Sequence, residues 1–186
     1  MFDRSRYEDA AEVAAARAGS RAAWVALVKR RGGRLYTHAR RLCDTPEAAQ
    51  DVVQEAWVEV WRGLRGLRDD HAFLPWALRI VTRRAAAVIR GQVADRRLAR
   101  DFAAEQALEA ETAEAPEGPE GRLAQAVATL PRDQAAALAL FYLEGLRVAE
   151  VAVALDIPPG TVKTRLMLAR LKLRVILEGD DHEQDR

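Results

Sequence analysis

From Thr161 to Arg174 the chain carries five lysines or arginines and no acid, directly after the corner Pro158-Pro159-Gly160. At 3.6 residues per turn, Val162, Leu166, Ala169 and Leu173 fall on one side as a buried stripe. Lys163, Arg170 and Arg174 then run along one edge, and Arg165 and Lys172 along the other. An ordinary solvated helix face mixes signs. A face of one sign suits a polyanion, whose phosphates are gripped by Lys and Arg while a side chain such as Thr164 reaches a base edge. The outward centre also holds Met167, Leu168 and Leu171, which fit either a thymine methyl or an apolar protein surface.

A second basic set lies upstream. From Arg79 to Arg100 there are seven arginines against the single acid Asp95. Arg79, Arg83 and Arg90, with Arg84 beside them, form a rail away from the apolar side of a helix, which suits phosphates and equally a face that serves only solubility.

Catalytic chemistry finds no footing. His38, His71 and His182 are scattered and read as surface or core residues. There is no Cys/His metal spacing, no glycine-rich phosphate loop and no Ser-His-Asp set placed by a motif, so no enzyme and no cofactor is expected. The one cysteine, Cys43, allows no internal disulfide and reads as a small core hydrophobe. The N-terminus lacks the apolar stretch of a secretion signal, and the longest apolar run falls short of the ~18 residues of a membrane span; a cytoplasmic protein is expected.

The elements that must position these residues are helices. Strand-like alternation is nearly absent and helix-spaced apolar residues recur, so the fold class is all-α. Trp24, Leu27, Val28 and Leu35 predict a helix broken at Gly32-Gly33. Thr45-Pro46-Glu47 predicts a capped start to a second, with Val53, Trp57, Val60, Trp61 and Leu64 on its apolar side. A third spans roughly 74–90, with Ala77, Ile80, Val81 and Val88 inward. Val148, Val151, Ala152 and Leu155 mark a short helix before the proline corner. Helix, tight turn and basic helix make a helix-turn-helix.

With 186 residues and 49% hydrophobic composition the chain can bury a core, and its net charge of +1 names no partner. The distribution of charge is more informative. Seven acids and no base stand between Asp101 and Glu120, with Pro116, Gly118, Pro119 and Gly121 at the end of the stretch. The predicted organisation is two small helical domains, 1–100 and 122–179, joined by an acidic flexible linker at 101–121 and followed by a polar tail at 180–186.

Three stretches occur in the order found in one family: AAQDVVQEAWVEVW, then WALRIVTRRAAAVIR, then LPRDQAAALALFYLEGLRVAEVAVALDIPPGTVKTRL. Over roughly residues 20–92 and 122–176 the chain resembles the extracytoplasmic-function (ECF) sigma factors of bacterial RNA polymerase. The resemblance implies a promoter-recognition subunit with no chemistry of its own, and as partners the core polymerase (β′ clamp helices and β flap), promoter DNA and an anti-sigma factor. It assigns Asp51, Gln54 and Glu55 to core binding, and their i, i+3, i+4 spacing puts them on one exposed helix side. Asp69, Asp70, His71 and Phe73, with Arg79, Arg83, Arg84 and Arg90, fall at the place that opens and reads the minus-10 element. Thr161, Lys163, Thr164, Arg165, Arg170 and Lys172 fall at the minus-35 reader. Arg83, Ala87, Ala135 and Leu168 depart from the family's usual residues, which leaves the promoter sequence open. The rival reading is a one-component helix-turn-helix regulator that acts without polymerase.

Overall fold

The computed structural model describes residues 4–100 and 119–183, and among them there is no strand. The predicted linker lies almost wholly outside the described residues. The helices are α1 (Arg4–Arg17), α2 (Arg21–Leu42), α3 (Pro46–Gly63), α4 (Phe73–Arg100), α5 (Pro119–Ala128), α6 (Arg132–Tyr142), α7 (Val148–Leu155) and α8 (Pro159–Glu183), with two short 3-10 turns at Leu64–Gly66 and Asp70–Ala72. None of them is long and apolar enough to cross a membrane, among the described residues.

Local chemistry sets the helix starts. Ser20 caps α2, its Oγ accepting from Ala23 N at 3.3 Å. Thr45 caps α3 in the same way, its Oγ1 accepting from Ala48 N at 3.2 Å, with Pro46 in the first turn where its missing N–H costs nothing. Pro119 opens α5, so the second helical region begins inside the stretch assigned to the linker. The α8 helix in turn continues past Gly179 into the stretch assigned to the tail.

α2 runs without a break through Gly32 and Gly33. Each glycine costs about 1 kcal/mol relative to alanine, and packing offsets this because α2 is held by α1, α3, α4 and α6 together. Beside the glycines, Arg31 makes a buried two-pronged pair with Asp9 of α1, at 2.8 Å through Nε and 2.6 Å through Nη2.

The buried stripe of α3 is Ala49, Val52, Ala56 and Val60. Of the large residues expected there, Val60 and Leu64 are buried, while Val53 and Trp57 are half-buried and Trp61 is 51% exposed, its ring edge-on to Trp24 at 4.8 Å. Alanines take the closest helix approach, and the bulky rings fill its margin.

The two helical regions are α1–α4 and α5–α8, and they meet. α4 packs on α7 and α2 on α6. Buried residues from both, including Leu35, Leu78 and Val81 with Leu140, Val151 and Leu155, belong to one apolar cluster. The first region therefore does not keep its core to itself. A smaller cluster of Ala126, Leu130, Ala169 and Leu173 holds α5 to α8. Cys43 is buried, as expected of a core hydrophobe, and that burial pushes its thiol up.

Candidate nucleic-acid and partner interfaces

α7, its turn and α8 form the helix-turn-helix. α7 ends because Asp156 takes the left-handed conformation, φ 55°, while its N–H returns to Ala152 and Val153. Pro159 then opens α8. Val162, Leu166, Ala169 and Leu173 are all buried, as their spacing predicted.

Lys163, Thr164 and Lys172 stand exposed and Thr161 is half-buried. Thr164 Oγ1 donates to Gly160 O at 3.2 Å, which orients its methyl and hydroxyl. The other two basic candidates are committed differently. Arg165 is half-buried with Nε 3.2 Å from Asp133 Oδ2, tying α8 to α6. Arg170 donates from Nε to Leu166 O at 3.1 Å and lines an apolar groove between α5, α6 and α8.

The arginine rail on α4 is paired rather than bare. Arg79 meets Asp156 at 2.8 Å, in the turn of the helix-turn-helix. Arg84 donates from Nε to Glu59 Oε2 and from Nη1 to Glu55 Oε2, each at 2.9 Å, and Arg83 lies 3.8 Å from Glu59. Arg90 is exposed. Spacing put these arginines on one face, but their partners come from α3 and the turn after α7, 24 to 77 positions away in the chain.

Asp51, Gln54 and Glu55 all lie exposed on the outer side of α3. Glu55 belongs to two predicted sites at once, since its carboxylate holds Arg84. Before α4, Asp69 Oδ1 accepts from His71 N at 2.9 Å and caps the 3-10 turn, Asp70 is ion-paired with Arg17, and His71 is exposed. Phe73 is enclosed in the core, its ring 6.1 Å from that of Trp76. The first turn of α4 points it inward, which removes it from any surface a base reaches in this conformation.

A junction that sequence reasoning missed joins the two regions. Thr82 Oγ1 lies 2.7 Å from Ala154 O of α7, 3.0 Å from Leu78 O and 2.9 Å from His38 Nε2. One hydroxyl hydrogen cannot serve both carbonyls fully. The shortest geometry has Thr82 donating to Ala154 O while His38 Nε2–H donates to Thr82. His38 is buried, and this lowers its pKa to about 3, with the nearby Arg41 charge adding to the effect; the imidazole is neutral. Arg34 pairs with Glu144 at 3.3 Å and Arg132 with Asp44 across the same boundary.

Two helical regions, the second ending in a basic helix-turn-helix, define a two-module protein of the nucleic-acid-binding class. The comparisons sharpen this. Residues 27–94 match the model of sigma-70 region 2 and residues 120–173 that of sigma-70 region 4. The chain is 34% identical to the RNA polymerase sigma-H factor of Pseudomonas aeruginosa, over 70% of this chain and 73% of that one. It is 33% identical to the ECF RNA polymerase sigma factor SigM of Mycobacterium tuberculosis, over 94% of this chain and 87% of that one. Among solved structures, CnrH in complex with the cytosolic domain of CnrY superposes with a TM-score of 0.64 at 25% identity, covering 93% of this chain and 99% of that one. The sigma factor RpoE in complex with the anti-sigma factor NepR from Bartonella quintana shares the fold, with a TM-score of 0.64 at 19% identity over 81% and 94% of the two chains. The chain belongs to the ECF sigma factors of RNA polymerase. That membership sets aside the one-component regulator.

Proposed function

We propose that this ECF sigma factor docks on the β′ clamp helices through Asp51, Gln54 and Glu55, and reads promoter DNA at two elements. The observation that carries this reading is the pair of exposed faces, the polar outer side of α3 and the one-signed side of α8. Lys163 and Lys172 grip phosphates beside the minus-35 element and Thr164 meets a base edge, while Arg83, Arg84 and Arg90 serve the minus-10 strand. The β flap is assigned to the apolar groove of about 830 Å³ that Leu123, Val127, Leu138 and Tyr142 line.

The packed arrangement of the two regions is read as a resting form. Arg79 is occupied by Asp156 and the region-4 turn lies against α4, so the minus-10 surface is complete only after the regions part. The likeness to CnrH and RpoE, solved with CnrY and with the anti-sigma factor NepR, supports control by a partner protein. A cytoplasmic site of action follows from this role.

Run-off transcription with purified core polymerase tests the whole. The parent should direct specific initiation, and Asp51→Arg with Gln54→Ala should lose core binding in a pull-down with helical circular dichroism unchanged. Neither residue touches Arg84, so loss is attributable to docking. Undiminished binding would remove the α3 face from the assignment.

A further inference from the structure

Arg41 stands at an unusual place for a cation. It belongs to α2 in the first region, yet it lines the groove that α5, α6 and α8 form in the second. Its Nη1 is shut off from solvent and no acceptor reaches it. Burial lowers its pKa from the ordinary arginine value, against the raising pull of Glu144, and the Glu144 carboxylate is already held by Arg34 at 3.3 Å. A half-buried guanidinium with a donor left over carries a desolvation cost that an incoming anion would offset.

The rest of the groove names the other half of a ligand. Leu123, Val127, Leu130, Leu138, Tyr142 and Leu143 make an apolar lining, and Leu123, Tyr142 and Leu143 are 47%, 53% and 68% exposed. Arg132 and Arg170 are the other charged residues along it, so its charges are of one sign and no acid lines it. Arg132 is engaged by Asp44, whereas Arg170 donates from Nε to Leu166 O, which leaves its two Nη groups for another acceptor. About 830 Å³ of largely apolar space with a few convergent cations has the form of a small-molecule site.

A neutral apolar ligand leaves Arg41 unanswered, and a cationic one is repelled. A polyanion has nothing to bury against the leucines. We propose that this groove binds a long-chain carboxylate of the fatty-acid class, its acyl chain on the leucines and its carboxylate at Arg41, where a planar guanidinium matches it. Because Arg41 comes from α2 and the apolar lining from the second region, such a ligand favours the packed arrangement and holds the two regions together. On the reading given above, the flap takes the same groove after the regions part. The ligand's effect on polymerase, but not its binding, rests on that reading.

The probe is dodecanoate below its micelle concentration, titrated calorimetrically into the full chain beside butyrate and dodecyltrimethylammonium. Dodecanoate should bind, with butyrate and the cationic amphiphile each roughly tenfold or more weaker. Arg41→Gln should weaken dodecanoate by roughly tenfold or more with helical circular dichroism unchanged, and so should Leu123→Asp, which sets a like charge on an exposed wall. Amide exchange in α7, which packs on α4 and does not line the groove, should slow when dodecanoate is bound. Saturating dodecanoate should also lower core capture by the parent roughly fivefold or more in a pull-down. No dodecanoate binding, or undiminished binding by Arg41→Gln, overturns the proposal. So does equal binding of butyrate or of the cationic amphiphile, the latter marking an adventitious detergent contact only, and so does binding that leaves α7 exchange unchanged. If exchange slows while core capture is undiminished, the resting-form reading fails and this site stands.

Discussion

His38 makes stability depend on pH in a way that one substitution should remove. It is a base whose pKa is held at about 3 in the folded chain against an ordinary 6.5. The unfolded chain therefore takes up a proton below about pH 6.5 that the folded chain refuses. Stability is full above that value and falls as pH drops from 6.5 toward 3, by 1.36 kcal/mol for each pH unit. At about pH 5 the loss is about 2 kcal/mol. His38→Gln cannot be protonated, yet its amide can still donate to Thr82 Oγ1. Urea unfolding, followed by tryptophan fluorescence at about pH 7.5 and pH 5, should show the parent losing about 2 kcal/mol more than the variant over that interval. The remaining titrating groups are common to both chains and cancel in the difference. Equal pH dependence in parent and variant would refute the reasoning, because it would mean that the imidazole is as free to charge in the folded chain as in the unfolded one.

Two further outcomes follow from geometry. Thr82→Val keeps the shape but leaves Ala154 O and His38 Nε2 without their partner, so the urea midpoint should fall by the equivalent of about 1–3 kcal/mol, with Thr82→Ser closer to the parent. Lys163→Ala should weaken holoenzyme binding to every minus-35 variant alike and lower the salt slope by about one unit, whereas Thr164→Ala should change sequence preference; binding at two salt concentrations separates them.

Local rules carried much of the fold into the sequence. Thr45-Pro46 marked the start of α3, and the spacing of Val162, Leu166, Ala169 and Leu173 fixed the inward side of α8 without reference to any neighbour. What failed was decided by neighbours. Gly32-Gly33 stays helical because four helices hold α2. The α3 stripe sits on alanines because the closest approach of two helices favours the smallest side chain, which a search for large apolar residues passes over. Phe73 was grouped with acids adjacent in sequence, and only the direction of the first turn of α4 shows that its ring goes inward. Of the candidate site, exposure was legible and pairing was not. Arg79, Arg84 and Arg165 all have carboxylate partners outside their own helices, and no spacing along one helix reveals those. The Thr82–Ala154 contact spans 72 positions, and nothing in the spacing of one helix marks Thr82 for it.

The bridge from Glu55 to Arg84 links two surfaces in one thermodynamic account. Arg84 faces two carboxylates, Glu55 and Glu59, so its positive end is largely cancelled while both remain. Anything that draws Glu55 away leaves Arg84 more attractive to a phosphate, and by reciprocity a phosphate held by Arg84 leaves Glu55 more available to a cation on a partner. Exposed pairs of this kind are worth up to about 1 kcal/mol, so the coupling is at most about fivefold and shrinks as salt rises. On the proposed roles of Glu55 in docking and Arg84 in strand binding, the two grips strengthen one another through a single carboxylate, a cooperativity that requires no movement of the backbone.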